Sequence, residues 1–206
     1  MNRLGGVPER AARAAGHTEW VTRVIAGIAG GRRIAVPAGR DTRPTSDRAR
    51  EGLFSTVGAL LGPLDGCRVA DLYAGSGAVG LEALSRGADH ALLVESHARA
   101  ARVIRDNIAL LGLPGAELVT DRVERLVRRG CEAPYDLIFA DPPYALGGEE
   151  VTGLLGALRD NGWAAPDALI VVERAGRDGP LAWPPGYTAE RERRYGEAVL
   201  WYGRVT

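Results

Sequence analysis

Lysine and glutamine are missing altogether from this chain of 206 residues, methionine occurs once, and phenylalanine and cysteine occur twice each. The two cysteines, Cys67 and Cys131, form no CxxC pair, and the three histidines (His17, His90, His97) match no zinc-ligand spacing. No disulfide and no metal are therefore expected, which suits a reducing cytoplasm. No apolar run approaches the roughly 20 residues of a membrane span, and the first twenty residues lack the apolar centre of a signal peptide. A cytoplasmic protein with no membrane partner is expected. The missing lysine makes all 26 basic residues arginine. In a chain rich in Ala and Gly this reflects a GC-rich coding genome, so the choice of arginine says nothing about phosphate recognition, and only position can.

What is present is globular. Hydrophobic residues make up 46% and charged residues 25% of the chain, enough to bury a core, and the length fits one domain. The 28 glycines, about twice the usual share of about 7%, announce many tight turns. The formal net charge of zero conceals a gradient. Residues 1–50 hold ten arginines against four acids, a net of +6, and residues 51–206 hold sixteen against twenty-two, a net of −6. A basic leader on an acidic body suits a protein that touches nucleic acid with one end, and equally a solvated tail.

Residues 1–21 lack a sustained hydrophobic period and are expected to be a disordered extension. The run Arg23-Val24-Ile25-Ala26-Gly27-Ile28, then Gly30-Gly31, then Arg32-Arg33-Ile34-Ala35-Val36 reads as a β-hairpin around a Gly-Gly turn, so residues 22–45 form a basic hairpin arm. Thr45, Ser46 and Asp47 supply N-cap chemistry for a helix carrying Leu53, Phe54, Val57, Leu60 and Leu61 and ending near Gly62-Pro63. From there strands and helices alternate: strand Arg68–Tyr73, helix Ala78–Arg86, strand His90–Glu95, helix Ala98–Leu111, strand Ala116–Val119, helix Asp121–Arg129, strand Tyr135–Ala140, helix Val151–Asp160 and strand Ala168–Glu173. Two short strands, Thr188–Tyr195 and Ala198–Val205, meet at Gly196 and must be antiparallel to each other. The pattern predicts an α/β doubly wound, Rossmann-like sheet over residues 46–206, mostly parallel with an antiparallel C-terminal hairpin, binding ligands at its strands' carboxyl ends.

Two motifs carry chemistry. Asp71-Leu72-Tyr73-Ala74-Gly75-Ser76-Gly77-Ala78-Val79-Gly80 places GxGxxG between a strand and a helix, where glycines admit a ligand to the backbone and to helix N–H groups. NAD, FAD and S-adenosylmethionine all use such turns. Asp71 disfavours a pyrophosphate and suits a sulfonium and an ammonium group. Glu95, at the end of the next strand, is placed for ribose hydroxyls, or to cap the following helix. The second motif is Asp141-Pro142-Pro143-Tyr144 at the end of the fourth strand. An exocyclic amine is a poor nucleophile because its lone pair is delocalised into the ring. Accepting its two N–H bonds on the Asp141 carboxylate and the Pro142 carbonyl favours the pyramidal nitrogen of methyl transfer, the prolines fixing that carbonyl's direction. Tyr144 can stack on the base, worth about 1–3 kcal/mol.

Together these motifs resemble class I S-adenosylmethionine-dependent amino-methyltransferases. Arg23-Val24-Ile25-Ala26-Gly27, Arg43-Pro44-Thr45 with Asp47 and Arg48, Phe54, and the stretch from Asp71 through Leu81-Glu82-Ala83-Leu84-Ser85-Arg86-Gly87-Ala88 look like the RsmD family over residues 22–206. That family comprises the 16S rRNA guanine-N2 methyltransferases, whose target is guanine 966 in rRNA numbering. The resemblance implies that Asp71, Tyr73, Ala74, Gly75, Ser76, Gly77 and Gly80 shape the cofactor cradle, with Gly75 to Gly77 around the methionine end and Glu95 on the ribose. Asp121 falls where such enzymes contact the adenine, and equally suits a helix N-cap. Asp141 to Tyr144 would take the guanine amine, and Arg23, Arg32, Arg33, Arg43 and Arg48 would hold RNA phosphates. Val21 falls where the family's own start would fall. The expected partner is 16S rRNA in the small subunit, the expected state a monomer, and residues 145–150 a candidate lid. A DNA amino-methyltransferase and a non-catalytic RNA-binding assembly factor are the alternatives. The Asp-Pro-Pro-Tyr element argues against the second.

Overall fold

Val69 to Leu72, Ala91 to Val94, Leu137 to Ala140 and Leu169 to Val172 are each almost entirely buried. Such near-continuous apolar runs are what parallel strands covered on both faces require. The computed structural model describes residues 20–37 and 46–206. In chain order these form β1 (Trp20–Arg23), β2 (Arg33–Val36), α1 (Asp47–Leu60), β3 (Arg68–Leu72), α2 (Ala78–Ser85), β4 (His90–Val94), α3 (Ala98–Leu111) and β5 (Ala116–Val119). There follow α4 (Val123–Val127), β6 (Tyr135–Ala140), α5 (Gly148–Asp160), β7 (Ala164–Ala175), a 3-10 turn (Gly176–Asp178), β8 (Tyr187–Tyr195) and β9 (Ala198–Val205).

Seven strands make one sheet in the order β5-β4-β3-β6-β7-β9-β8. β3 to β7 run parallel, and β9 lies antiparallel between β7 and β8. Alternate residues of each strand feed two cores. Val69, Leu93, Leu137, Val171 and Tyr202 pack with α1, α2 and α3 on one face. Leu72, Val94, Ile138 and Val172 pack with α4 and α5 on the other. The doubly wound fold read from the sequence is the fold observed. Ser46 caps α1 by accepting from the Ala49 N–H at 3.1 Å, and Gly112, at φ 63°, ends α3.

The N-terminal segment is the antiparallel pair expected, with shorter strands than the sequence suggested. β1 and β2 are antiparallel, with Arg23 opposite Arg33, and Val24 still exchanges backbone bonds with Arg32 and Gly31, but residues 25–30 form a loop seated on α2. The cause is Glu82, which is fully buried. Its carboxylate accepts the two adjacent N–H groups of Ile25 and Ala26 at 2.6 and 3.0 Å, which a strand would point to opposite sides, so the chain turns onto α2 here. Ser85 accepts from Ala29 and donates to the Ala26 carbonyl. Val24, Ala29 and Ile34 are 1% exposed and belong to the main core. β1 also begins at Trp20, so the last two residues assigned to the extension, Trp20 and Val21, are strand. Residues 1–19 and 38–45, including Arg40, Arg43 and Thr45, lie outside the described residues.

Buried Arg50 completes the seat. Its Nη2 donates to the Arg23 carbonyl at 2.5 Å and to Asp47 at 3.0 Å, and its Nε lies 4.0 Å from Glu82. Gly27 is indispensable here: its φ is +81°, and a Cβ would stand 1.7 Å from the Ser85 carbonyl oxygen. Gly27→Ala is expected to cost about 1–3 kcal/mol through backbone strain and a displaced loop. A lower urea midpoint at unchanged m-value checks it. An unaltered midpoint would show that the loop has another seat.

Candidate active site

The strand order reverses direction between β3 and β6: β4 and β5 lie to one side of β3, β6 and β7 to the other. In doubly wound sheets ligands bind at the carboxyl ends of strands flanking such a switch point. The two sequence motifs fall there, one after β3 and one after β6. The Asp141 N–H donates to the Leu72 carbonyl at 3.4 Å, so the loops that carry them are adjacent.

On the β3 side the backbone turns sharply, with Tyr73 at φ 62°, Gly75 at φ 58° and Gly77 at φ 77°. Tyr73 holds this left-handed conformation while its hydroxyl donates to Glu124 at 2.8 Å, and burial with that carboxylate pushes its pKa upward. A Cβ on Gly75 would meet nothing within 4 Å, whereas one on Gly77 would lie 2.7 Å from the Leu93 side chain. Gly77 is thus a packing requirement and Gly75 faces open space. Gly80 donates its N–H to Asp71 at 2.9 Å. Ala74 bonds through its N–H to the Val94 carbonyl.

Four acids line up at the strand ends. Asp71 is 2% exposed, and burial raises its pKa to about 7 against the Gly80 hydrogen bond, which lowers it. Glu95 follows β4; its Oε2 accepts the Gly75 N–H at 3.0 Å and its Oε1 the His97 N–H at 2.7 Å. Glu95 is buried and therefore braces the glycine loop while holding the backbone of His97, the residue just before α3. Asp121 departs from its reading as a helix cap. α4 starts later, after Arg122, and Asp121 accepts from Arg125 at 2.7 Å and pairs with Arg129 at 3.3 Å. The Arg125 hydrogen bond is the main reason its pKa is lowered.

A residue not marked in the sequence completes the cradle. Asn107 on α3 is 1% exposed. Its Nδ2 donates to the Ser76 carbonyl at 3.0 Å and the Ala35 carbonyl at 2.9 Å, and its Oδ1 accepts the Ala35 N–H. One side chain thus ties the glycine loop to β2. A polar residue among apolar ones at a core-facing position of α3 was the available signal.

On the β6 side, Asp141, Pro142 and Tyr144 line a shallow cleft with Glu173, Ala175 and Glu197. The Asp141 pKa lies well above the usual carboxylate range because of burial first, then the negative charges of Glu173 and Asp71. The Pro143 carbonyl accepts from Leu146 in a tight turn. Tyr144 is 66% exposed, and the Arg177 guanidinium stands 5.5 Å above its ring. The expected lid, residues 145–150, is half helix: α5 begins at Gly148, and the Glu150 carboxylate accepts the Gly147 N–H at 2.8 Å.

The arginines chosen for RNA divide. Arg32 donates from both terminal nitrogens to the Leu110 and Leu111 carbonyls at the end of α3, a favourable cation at a helix C-terminus, and so braces the fold. Arg23 pairs with Asp47 at 3.2 Å. Arg33 and Arg48 are exposed, and neither has an ion pair among the described residues. Arg43 is not among them. No metal-ligating cluster occurs among the described residues.

A parallel switch-point sheet closed by an antiparallel β9, with a glycine loop braced by acids, defines a class I methyltransferase fold. More distant structural neighbours share it, among them a Streptococcus mutans structure assigned as a methyltransferase dependent on S-adenosylmethionine (TM-score 0.68, 14% identity, 95% of this chain and 57% of that one). The model of the family described as "Conserved hypothetical protein 95" matches residues 22–204, and the chain belongs to this family, the RsmD family. It is 37% identical over 178 residues to ribosomal RNA small subunit methyltransferase D of Escherichia coli strain K12, covering 86% of each chain. It is 32% identical over 177 residues to the protein of that name in Haemophilus influenzae, covering 84% of this chain and 89% of that one. A solved Escherichia coli structure assigned as a methyltransferase superposes with a TM-score of 0.79 at 32% identity, over 90% of this chain and 98% of that one.

Proposed function

We propose that the protein transfers a methyl group from S-adenosylmethionine to the exocyclic N2 of one guanine of 16S rRNA, guanine 966 by family resemblance, acting as a cytoplasmic monomer. The observation that carries this is the adjacency of the two loops, the Asp141 N–H donating to the Leu72 carbonyl at 3.4 Å. It sets an acid-braced glycine cradle beside a cleft carrying a carboxylate and an aromatic ring.

The cradle fits the cofactor on its own chemistry. Asp71, Glu95 and Asp121 follow one another at the strand ends beside it, and Arg125 and Arg129 are held by Asp121. Such a field attracts a sulfonium and an ammonium and repels a pyrophosphate. Gly75 leaves open the space a side chain would fill. Bound there, S-adenosylmethionine supplies an electrophilic methyl group.

The chain's own residues do the rest by positioning and charge. The guanine N2 donates one N–H to Asp141 and the other to the Pro142 carbonyl, which turns its lone pair toward the methyl carbon. As the N–C bond forms and the S–C bond breaks, the sulfur keeps the electron pair and the proton on N2 passes toward Asp141. The buried carboxylate, raised in pKa by its neighbours, is a stronger base than an exposed one. Tyr144, exposed at the rim, stacks on the base drawn out of the RNA. Purified protein should methylate small ribosomal subunits from a strain lacking this gene, and mass spectrometry of rRNA digests should find one new N2-methylguanine. Methylation of DNA but not of subunits would replace this reading with the DNA amino-methyltransferase; cofactor binding without transfer would replace it with an assembly factor.

A further inference from the structure

The sequence placed the RNA contact on the N-terminal segment, yet Arg23 and Arg32 are engaged within the fold. Four arginines with no ion pair among the described residues, Arg48, Arg177, Arg193 and Arg194, stand toward the end of the sheet that carries the Asp141 cleft, and three of them come from the far end of the chain. Arg177 stands over the Tyr144 ring. The Arg194 guanidinium lies against Gly176, its Nη1 2.6 Å from where a Cβ would be, so it borders the turn that carries Arg177. The Gly176 N–H donates to the carbonyl of Glu197, which lines the cleft. Arg194 and Arg177 therefore flank the cleft on one face of the sheet.

The other face mirrors this. On β8, Arg193 lies opposite Leu200 and Tyr195 opposite Ala198, a cleft-lining residue. Side chains alternate along a strand, so Arg193 and Tyr195 share the face opposite Arg194. Tyr195 packs on Gly52 of α1, where a Cβ would stand 1.9 Å from its hydroxyl. Arg48 lies four residues before Gly52, on the same helix stripe and one turn nearer the helix start. Arg48, Arg177, Arg193 and Arg194 are all exposed. Among the described residues β8 is the edge strand of the sheet, with no further strand beside it.

We propose that this rim, formed by Arg48 and Arg193 on one face and Arg177 and Arg194 on the other, is the main RNA-binding surface, gripping the phosphates on both sides of the guanine that enters the cleft. The inference rests on the RNA-methylating reading of the site. It extends that reading by moving the grip from the N-terminal segment to the C-terminal edge. Arginine forks suit phosphate oxygens, and cations straddling a pocket hold a strand splayed open at one base without reading its sequence.

The test uses the full-length protein and a fluorescein-labelled RNA stem-loop with a loop guanine, read by anisotropy from 50 to 300 mM salt. Arg177→Gln, Arg193→Gln and Arg194→Gln are combined, and a control combines Arg99→Gln, Arg102→Gln and Arg105→Gln, exposed arginines of α3, for the same change in net charge. Loss of three phosphate contacts should reduce the slope of log affinity against log salt by about 2, at about 0.7 per contact on a single strand. The rim variant should bind RNA at least tenfold more weakly at 150 mM salt, with unchanged calorimetric affinity for S-adenosylmethionine, while the control stays near wild type. Equal slopes for rim variant and wild type, or equal loss in both variants, would overturn the rim. Tight, salt-dependent RNA binding by a wild type that methylates no guanine would instead overturn the reaction and leave the rim standing.

Discussion

Asp141→Ala should bind S-adenosylmethionine within about twofold of wild type and lose methyl transfer by at least about 10²–10³-fold, the cost of removing one preorganised partner from a reacting group. Asp141 follows β6, on the base side of the switch point, whereas the loop that cradles the cofactor follows β3. Binding and turnover should therefore separate, as calorimetry beside a tritium-transfer assay will show. A variant with near-normal turnover would remove Asp141 from the reaction. The same carboxylate sets a pH signature. It accepts the amine only when ionised, and burial, then Glu173 and Asp71, hold its pKa above the usual range near 3.9. Activity should consequently fall, as the medium is acidified, at a pH higher than an ordinary carboxylate would give. Glu173→Gln removes one of the negative charges and should move that acid limb downward. A limb that stays in place would show that Glu173 does not tune the base.

The central sheet was legible because its information is local. Buried apolar runs, helical stripes and glycine punctuation each speak for a few residues, and β3 to β9 all appear where those runs fall. The two motifs were legible for the same reason, since each lies within ten consecutive residues. What the sequence hid depends on contacts across long separations. That Ile25 would give its N–H to Glu82, 57 residues away, rather than to a partner strand is not written in either stretch. Nor is the use of Arg32 to hold carbonyls 78 and 79 residues on. The charge gradient pointed to the N-terminal segment because a count along the chain weights all arginines alike. Folding sorts them by whether an acid is in reach, and the arginines around the cleft that have no ion pair among the described residues come largely from β8 and the turn after β7. Asn107 was overlooked because a lone polar residue at a core-facing helix position signals a buried partner without naming it, and its partners appear only when β2 and the Ser76 turn arrive on either side.

Asp71→Asn should stabilise the protein without cofactor and weaken its hold on the cofactor, the two effects having one electrostatic cause. Burial raises the Asp71 pKa to about 7, from 3.8 in the unfolded chain. A carboxyl with a raised native pKa binds its proton more tightly when folded, so stability falls as pH rises from about 4 toward 7 and levels off above. The gap corresponds to about 4 kcal/mol at pH 8, an upper figure at 1.36 kcal/mol per unit. Asparagine keeps an acceptor for the Gly80 N–H and carries no charge to desolvate. The variant should therefore melt higher than wild type at pH 8 and about equally at pH 4. Cofactor binding runs the other way. A bound sulfonium and ammonium favour the ionised carboxylate, so wild-type affinity should rise with pH up to about 7, by at most tenfold per unit, with proton release below it. Calorimetry between pH 5.5 and 7.5, below the titration of an α-amino group at about 7.7–8.0, and repeated on an Asp141→Asn background to remove the other raised carboxyl, isolates this group. The asparagine variant should bind more weakly at pH 7.5 and show little slope. If wild-type affinity is flat across that window, the acid beneath the glycine loop holds only the Gly80 backbone, and the cofactor's charge must be met by Glu95 or Asp121.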